Sequence, residues 1–143
     1  MVGGDWYDVF SLPSGELCVA VGDVAGSGLA AAVIMGRMRS ALRAYVLDTP
    51  DPAEVLDRLD RKMQHFEPAA LATVSYAVIE PALDRMEVCL AGHFAPVIAR
   101  PQQPAEQADV APGPMIGIAA DARRQTSAVK IPRARCCAFT PTA

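Results

Sequence analysis

The sequence lacks a basic surplus. It has 13 Lys and Arg against 16 Asp and Glu, with a formal net charge of -3. No concentrated cationic face is therefore available for a phosphate backbone, and nucleic acid is excluded as the expected partner. Apolar runs are short as well: none approaches the roughly 18 residues that cross a bilayer, and no basic segment followed by an apolar one opens the chain. A cytoplasmic protein with no membrane association is expected. The four cysteines, Cys18, Cys89, Cys136 and Cys137, show no C-x-x-C spacing, so zinc-ribbon chemistry has no footing. Cys18 and Cys89 lie in apolar, strand-like runs and read as buried thiols, whereas adjacent Cys136 and Cys137 would face opposite sides of a strand. There is no internal repeat and no linker long enough to divide the chain. One domain over residues 1–143 is expected, and a hydrophobic content of 52% is ample for its core.

Local pattern then places the elements. Glu16 to Val21 is apolar, partly β-branched and bounded by Gly15 and Gly22, as a buried strand would be. From Leu29 to Leu47 the period becomes helical, with Ala30, Val33, Ile34, Met38, Ala41, Leu42 and Tyr45 on one stripe and Arg37, Arg39 and Arg43 largely off it. Thr49-Pro50-Asp51-Pro52 ends that helix. Asp51 can cap a second one, with Pro52 at its first position, Glu54 three residues on, and Val55, Leu56, Leu59, Met63 and Phe66 as its apolar face. Two antiparallel helices are predicted. Strands follow at Ala72 to Ile79, Met86 to Ala91 and Pro96 to Ala99, the first two as a hairpin turning around Pro81 to Asp84. The polar, proline-rich stretch from Pro101 to Pro114 suits an exposed loop, and Pro132 breaks a last apolar stretch from Ala128 to Phe139.

Two acidic clusters carry the chemistry. Gly22-Asp23-Val24-Ala25-Gly26-Ser27-Gly28 follows a strand and opens a helix, and Gly3-Gly4-Asp5-Trp6-Tyr7-Asp8 precedes another strand-like run. Carboxylates at strand ends beside glycines leave room for a hydrated cation. Hard divalent ions take such oxygen ligands, which invites a metal reading. Read alone, Asp5 and Asp8 better suit turn and capping chemistry. Gly26-Ser27-Gly28-Leu29-Ala30-Ala31 formally fits the dinucleotide pattern G-x-G-x-x-A. Asp23 would repel the pyrophosphate, however, and Asp48 follows a helix rather than ending a second strand. Ser27 lacks the flanking glycines of a G-x-S-x-G nucleophile, and a Walker loop lacks its lysine. His93 suits a structural hydrogen bond, and His65 a favourable charge near a helix C-terminus.

Four pieces in order resemble the SpoIIE-like branch of the PPM-type metal-dependent serine/threonine protein phosphatases. They are the two acidic clusters, with Ala30-Ala31-Ala32 behind the second, then Leu71-Ala72-Thr73-Val74-Ser75-Tyr76 and Ala91-Gly92-His93-Phe94-Ala95-Pro96. The resemblance covers about Gly3 to Thr140. It implies an α+β fold, a β-sandwich of two mostly antiparallel sheets flanked by helices, and a two-metal site for Mn²⁺ or Mg²⁺. The implied ligands are Asp5, Asp23 and the main-chain carbonyl of Val24, with Asp8 as a subsidiary candidate. The implied reaction is hydrolysis of phosphoserine or phosphothreonine on a regulatory protein such as an anti-anti-sigma factor, with Asp5 and Asp23 acting through a metal-activated water.

The chain departs from that pattern at four positions. Ser27 stands where the family commonly has histidine, Leu90 where it has the asparagine of Asn-Ala-Gly-His, and Asp60 where an asparagine is expected in the second helix. Pro141 stands where the resemblance implies the metal-binding aspartate of a closing Thr-Asp-Gly. The pattern also implies a domain cut short at both ends, with open sheet edges that a partner chain or dimer would cover. The alternative reading is therefore a catalytically impaired pseudophosphatase, or a remnant, serving as a protein-binding module.

Overall fold

In the computed structural model the chain is described over residues 3–133 and 136–140. Ten elements follow in order: β1 (Asp5–Ser11), β2 (Leu17–Val24), α1 (Gly28–Val46), α2 (Pro52–Phe66), β3 (Ala72–Ile79), β4 (Arg85–Ala91), β5 (Val97–Ala99), β6 (Glu106–Gln107), β7 (Ser127–Lys130) and β8 (Cys136–Ala138). They build a five-stranded sheet in the order β1-β2-β3-β4-β7 and a three-stranded sheet in the order β6-β5-β8. Every strand pair within these sheets is antiparallel. This is the α+β architecture the sequence implies. It also removes the dinucleotide reading, which needs a parallel β-α-β unit.

Alternation along the central strands assigns each face of the large sheet to its own core. Cys18, Ala20 and Val24 of β2, Val74, Tyr76 and Val78 of β3, and Cys89 and Ala91 of β4 pack with Met38, Leu42, Leu56, Leu59 and Met63 of the helices. The alternate residues Ala77, Ile79, Met86, Val88 and Leu90 pack with Ile98 and Val129 toward the small sheet. A period of two thus feeds two cores from one set of strands. Helix α2 carries buried residues on several sides, and its start is capped as the sequence predicts: the Asp51 side chain accepts from the Ala53 N–H at 3.1 Å, with Pro52 next to it.

Three expectations need correction. Strand β2 runs through Gly22 to Val24 instead of stopping at Val21, because the β1 and β3 ladders continue to Asp23. The buried stripe of α1 is Ala31, Met38, Leu42 and Val46, while Val33 is exposed, as is Phe66 of α2. The stretch from Pro101 to Pro114 is not wholly an exposed loop, since it contains β6 and buries Ala108, whose N–H donates to the Pro96 carbonyl at 2.8 Å. The break expected at Pro132 is present, and the strands on either side of it lie in different sheets, β7 beside β4 and β8 beside β5. Cys18 and Cys89 are buried free thiols as expected, and Cys137 is partly buried.

Two ionic devices tie loop and helix to sheet. Arg124, its side chain fully buried, donates to Asp57 Oδ1 and Asp60 Oδ2 of α2, both at 2.9 Å. It also donates to the carbonyls of Pro114 and Met115. Asp8, on the helix-facing side of β1, accepts two bonds from the Arg43 guanidinium at 2.7 Å and a longer one from Arg39. Arg43 in turn lies 4.9 Å from the centre of the Phe10 ring. The Arg43 hydrogen bonds hold the Asp8 carboxyl below its ordinary value, outweighing the opposing effect of burial.

A group whose carboxyl is depressed in the folded state stabilises above its unfolded value and loses that contribution as pH falls through the folded one. Asp8→Ala is accordingly expected to cost about 1–3 kcal/mol at neutral pH. In urea denaturation series, the gap from wild type should hold down to about pH 4 and close below it. A gap unchanged at the lowest pH would show that Arg43 is not its source.

Candidate metal centre

Register brings the two carboxylates together. Asp5 is the direct cross-strand partner of Asp23, and Asp23 is also the partner of Thr73. The Val24 N–H donates to the Gly4 carbonyl at 3.0 Å. That bond makes Gly4 and Val24 the hydrogen-bonded position, so Asp5 and Asp23 form a non-hydrogen-bonded pair, where Cα atoms approach to about 4.5 Å. By alternation Asp5, Asp23 and Thr73 share the face opposite the helices. Like charges directly opposite one another repel, and this pair would favour a cation between them.

Glycine makes room for that arrangement at two positions. A Cβ on Gly4 would overlap the Val24 carbonyl oxygen and come within 2.6 Å of Asp23 Oδ1. One carboxylate oxygen and one main-chain oxygen thus flank the same side-chain-free space. Gly26 has φ +112°, a backbone region that favours glycine, so the turn after Val24 can leave the sheet and enter α1. Val24 is held from its other side too, because the following Ala25 N–H donates to Leu71 O at 2.8 Å.

His93 extends the polar row. Its Nε2 lies 2.8 Å from the Thr140 carbonyl and its Nδ1 lies 2.9 Å from Thr73 Oγ1. A carbonyl can only accept, so Nε2 carries the proton, and in the neutral imidazole Nδ1 accepts from the Thr73 hydroxyl. This chain joins the exit of β8 in the small sheet to β3 in the large one. Beside it, a cleft of about 250 Å³ is lined by Asp5, Trp6, Tyr7, Val21 and Phe139.

Asp8 is not brought to this point. It alternates onto the helix-facing side, and although it borders the same open edge of β1 as Asp5, its two oxygens are taken up by Arg43. Among the described residues, no three His, Cys, Asp or Glu side chains converge on one metal position. Pro141 lies outside the described residues. Hard-cation chemistry fits what is present, namely two opposed carboxylates, a main-chain carbonyl and open space for water.

The sequence matches the Stage II sporulation protein E (SpoIIE) family over residues 13–139. The chain belongs to the SpoIIE family. Protein IcfG of Synechocystis sp. is 44% identical over 48 residues, a stretch covering 34% of this chain and 8% of that protein. Among solved structures, the RsbU and RsbW domains of Rv1364c from Mycobacterium tuberculosis superpose with a TM-score of 0.72 at 27% identity, covering 88% of this chain and 35% of that one. The SiaA-PP2C domain of Pseudomonas aeruginosa gives 0.77 at 19% identity, covering 94% and 53%. The PP2C phosphatase domain of SpoIIE from Bacillus subtilis gives 0.75 at 17% identity, covering 94% and 40%. The chain thus spans at most about half the length of each of these proteins, and those below a quarter identical speak to the fold, a PP2C-like sandwich.

Sequence reasoning paired Asp5, Asp23 and Val24 and gave His93 the structural hydrogen bond it makes, but missed its partners Thr73 and Thr140. A threonine opening an otherwise apolar strand, and a histidine after Ala91-Gly92, were the signals. It also missed Arg124, whose single letter in a loop announces nothing.

Register in this row depends on Gly22, over which the Trp6 indole lies. A Cβ there would sit 2.8 Å from Trp6 Nε1 and 2.5 Å from the Thr73 carbonyl. Gly22→Ala is expected to cost about 1–3 kcal/mol and to shift emission of the sole tryptophan to the red. Unchanged emission with unchanged stability would mean that the ring does not pack there.

Proposed function

We propose that this chain is a metal-dependent phosphoprotein phosphatase domain that hydrolyses phosphoserine or phosphothreonine on a regulatory protein such as an anti-anti-sigma factor. The observation that carries this reading is the direct opposition of Asp5 and Asp23 on one sheet face, with the Val24 carbonyl beside them. Mn²⁺ or Mg²⁺ would be held by these three groups, and the rest of the coordination would be water. Divalent cations bound there supply Lewis acidity toward water and toward phosphoryl oxygens. Magnesium in the structure of the relative RsbX, which superposes with a TM-score of 0.70 at 17% identity, supports that choice.

The chain's own residues would have distinct tasks. Asp5 and Asp23 present hard oxygens from neighbouring strands whose ladder fixes their separation, so little ordering remains to be done on binding. The Thr73 hydroxyl, its proton given to His93 Nδ1, lies next to Asp23 in the row and can accept a hydrogen bond from an ordered water. A regulatory phosphoprotein as substrate accords with the RsbU and RsbW pairing within Rv1364c.

A second reading has its own observation. Pro141 stands where the resemblance implies a metal-binding aspartate, and proline offers no side-chain oxygen. A catalytically impaired relative would keep the fold and bind the phosphoprotein without turnover.

Calorimetric titration with Mn²⁺, alongside turnover of a phosphoserine peptide, separates the two. The phosphatase reading expects saturable Mn²⁺ binding and metal-dependent release of phosphate. Asp23→Asn should lower metal affinity by at least about 100-fold and abolish turnover. Metal binding without phosphate release on any phosphopeptide would favour the binding module, and absence of both would sink the phosphatase reading.

A further inference from the structure

We propose that Arg124 is a positioning residue for the candidate metal centre, acting through the segment from Gly113 to Gly117. The inference rests on the phosphatase reading for the purpose of what is positioned. The lock itself is written in the hydrogen bonds of the chain.

The side chain of Arg124 has no exposed surface. One terminal nitrogen donates to Asp57 Oδ1 at 2.9 Å, and the other to Asp60 Oδ2 at 2.9 Å. Nε and the second terminal nitrogen donate to Pro114 O at 2.9 and 2.7 Å, with Met115 O 3.2 Å away. At the far end of the same segment, the Gly117 N–H donates to Asp60 Oδ1 at 2.9 Å. A stretch with no strand of its own is thereby held at both ends against α2.

That stretch holds the backbone behind the site. Gly113 O accepts from the Gly92 N–H at 2.7 Å, and Ile116 exchanges two backbone bonds with Ala72, at 2.8 and 3.2 Å. Gly92 immediately precedes His93, and Ala72 immediately precedes Thr73. A Cβ on Gly92 would lie 2.7 Å from that of Met115, so the fit is tight. Two backbone contacts from one guanidinium-held segment thus set the origins of the Thr73 and His93 side chains, and Thr73 is the cross-strand partner of Asp23.

Arginine suits this task and lysine does not. Three nitrogens of one rigid plane serve two carboxylates and two carbonyls, whereas an ammonium is a single point of attachment. Buried ion groups are often no more stabilising than apolar packing. Fixed direction is what such a group can add.

The test compares wild type, Arg124→Lys and Asp60→Asn with Val129→Ala, which opens a cavity at the opposite end of β4, where Val129 pairs with Met86. Hydrogen exchange of the Gly92 and Ile116 amides and of the His93 ring N–H is read by NMR on the metal-free full chain. Mn²⁺ affinity is read by calorimetry. Both lock variants should melt cooperatively, exchange about tenfold faster at these groups and bind Mn²⁺ about tenfold more weakly. Val129→Ala should lower the melting temperature while leaving local exchange and metal affinity at wild-type levels. Wild-type exchange rates in the lock variants, or equal effects from Val129→Ala, would overturn the proposal. So would unchanged Mn²⁺ affinity in variants whose exchange has risen. If Arg124→Lys fails to fold, Asp60→Asn decides. If wild type binds no Mn²⁺, the phosphatase reading falls, and exchange at His93 alone decides whether Arg124 positions the row.

Discussion

The candidate centre depends on one constraint, the antiparallel register that sets Asp5 against Asp23 and Asp23 against Thr73. Strand side chains alternate with a period of two, so a slip of β1 or of β2 by one residue would carry that strand's carboxylate into the helix-packed core and push Trp6 or Val24 out of it. No intermediate arrangement is available. Burial of Cys18, Ala20 and Val24 on one face therefore fixes the polar row on the other. The hydrophobic effect determines the position of groups that take no part in it.

The same constraint explains why two aspartates three residues apart have different roles. On a helix, Asp5 and Asp8 would share a face; on a strand they face opposite sides. Asp8 turns toward α1, where burial would be costly without Arg43 to accept its charge. It becomes a fastener between β1 and α1, with Phe10 beneath the guanidinium. Asp5 turns toward the small sheet and the cleft. One acidic cluster in sequence is thus a structural ion pair and a candidate ligand in space.

Much of this was legible in the residues, where local chemistry and pattern agree. Asp51-Pro52 with Glu54 announces a helix start, and it is one. Asp5, Asp23 and Val24 were named from motif, and register sets Asp5 opposite Asp23 with Val24 next in the strand. Failures arose where a tertiary partner overrode the local signal. Gly22 looked like the end of a strand, but the ladder runs on through it because the Trp6 ring needs the space a side chain would fill. The stretch around Ala108 looked like loop because its prolines and polar residues hide a two-residue strand. Arg124 was invisible, since its four acceptors come from α2 and from a segment without periodicity.

In the proposed reading, His93 decides which groups can join the carboxylates. By donating to the Thr140 carbonyl it brings the exit of β8 to the Asp23 end of β3. Proline at 141 favours extended backbone at Thr140, which suits a strand exit, and it contributes no side-chain oxygen. Among the described residues the proposed donor set is two carboxylates and one carbonyl, with water completing it. Such a set suits a cation of the Mg²⁺ type, which dehydrates reluctantly and is commonly held by one or two carboxylates with several waters retained. A softer or more completely caged ion would require ligands that Asp5, Asp23 and Val24 do not supply. The composition of this row therefore argues for a weakly held, exchangeable cation over a permanently bound structural one.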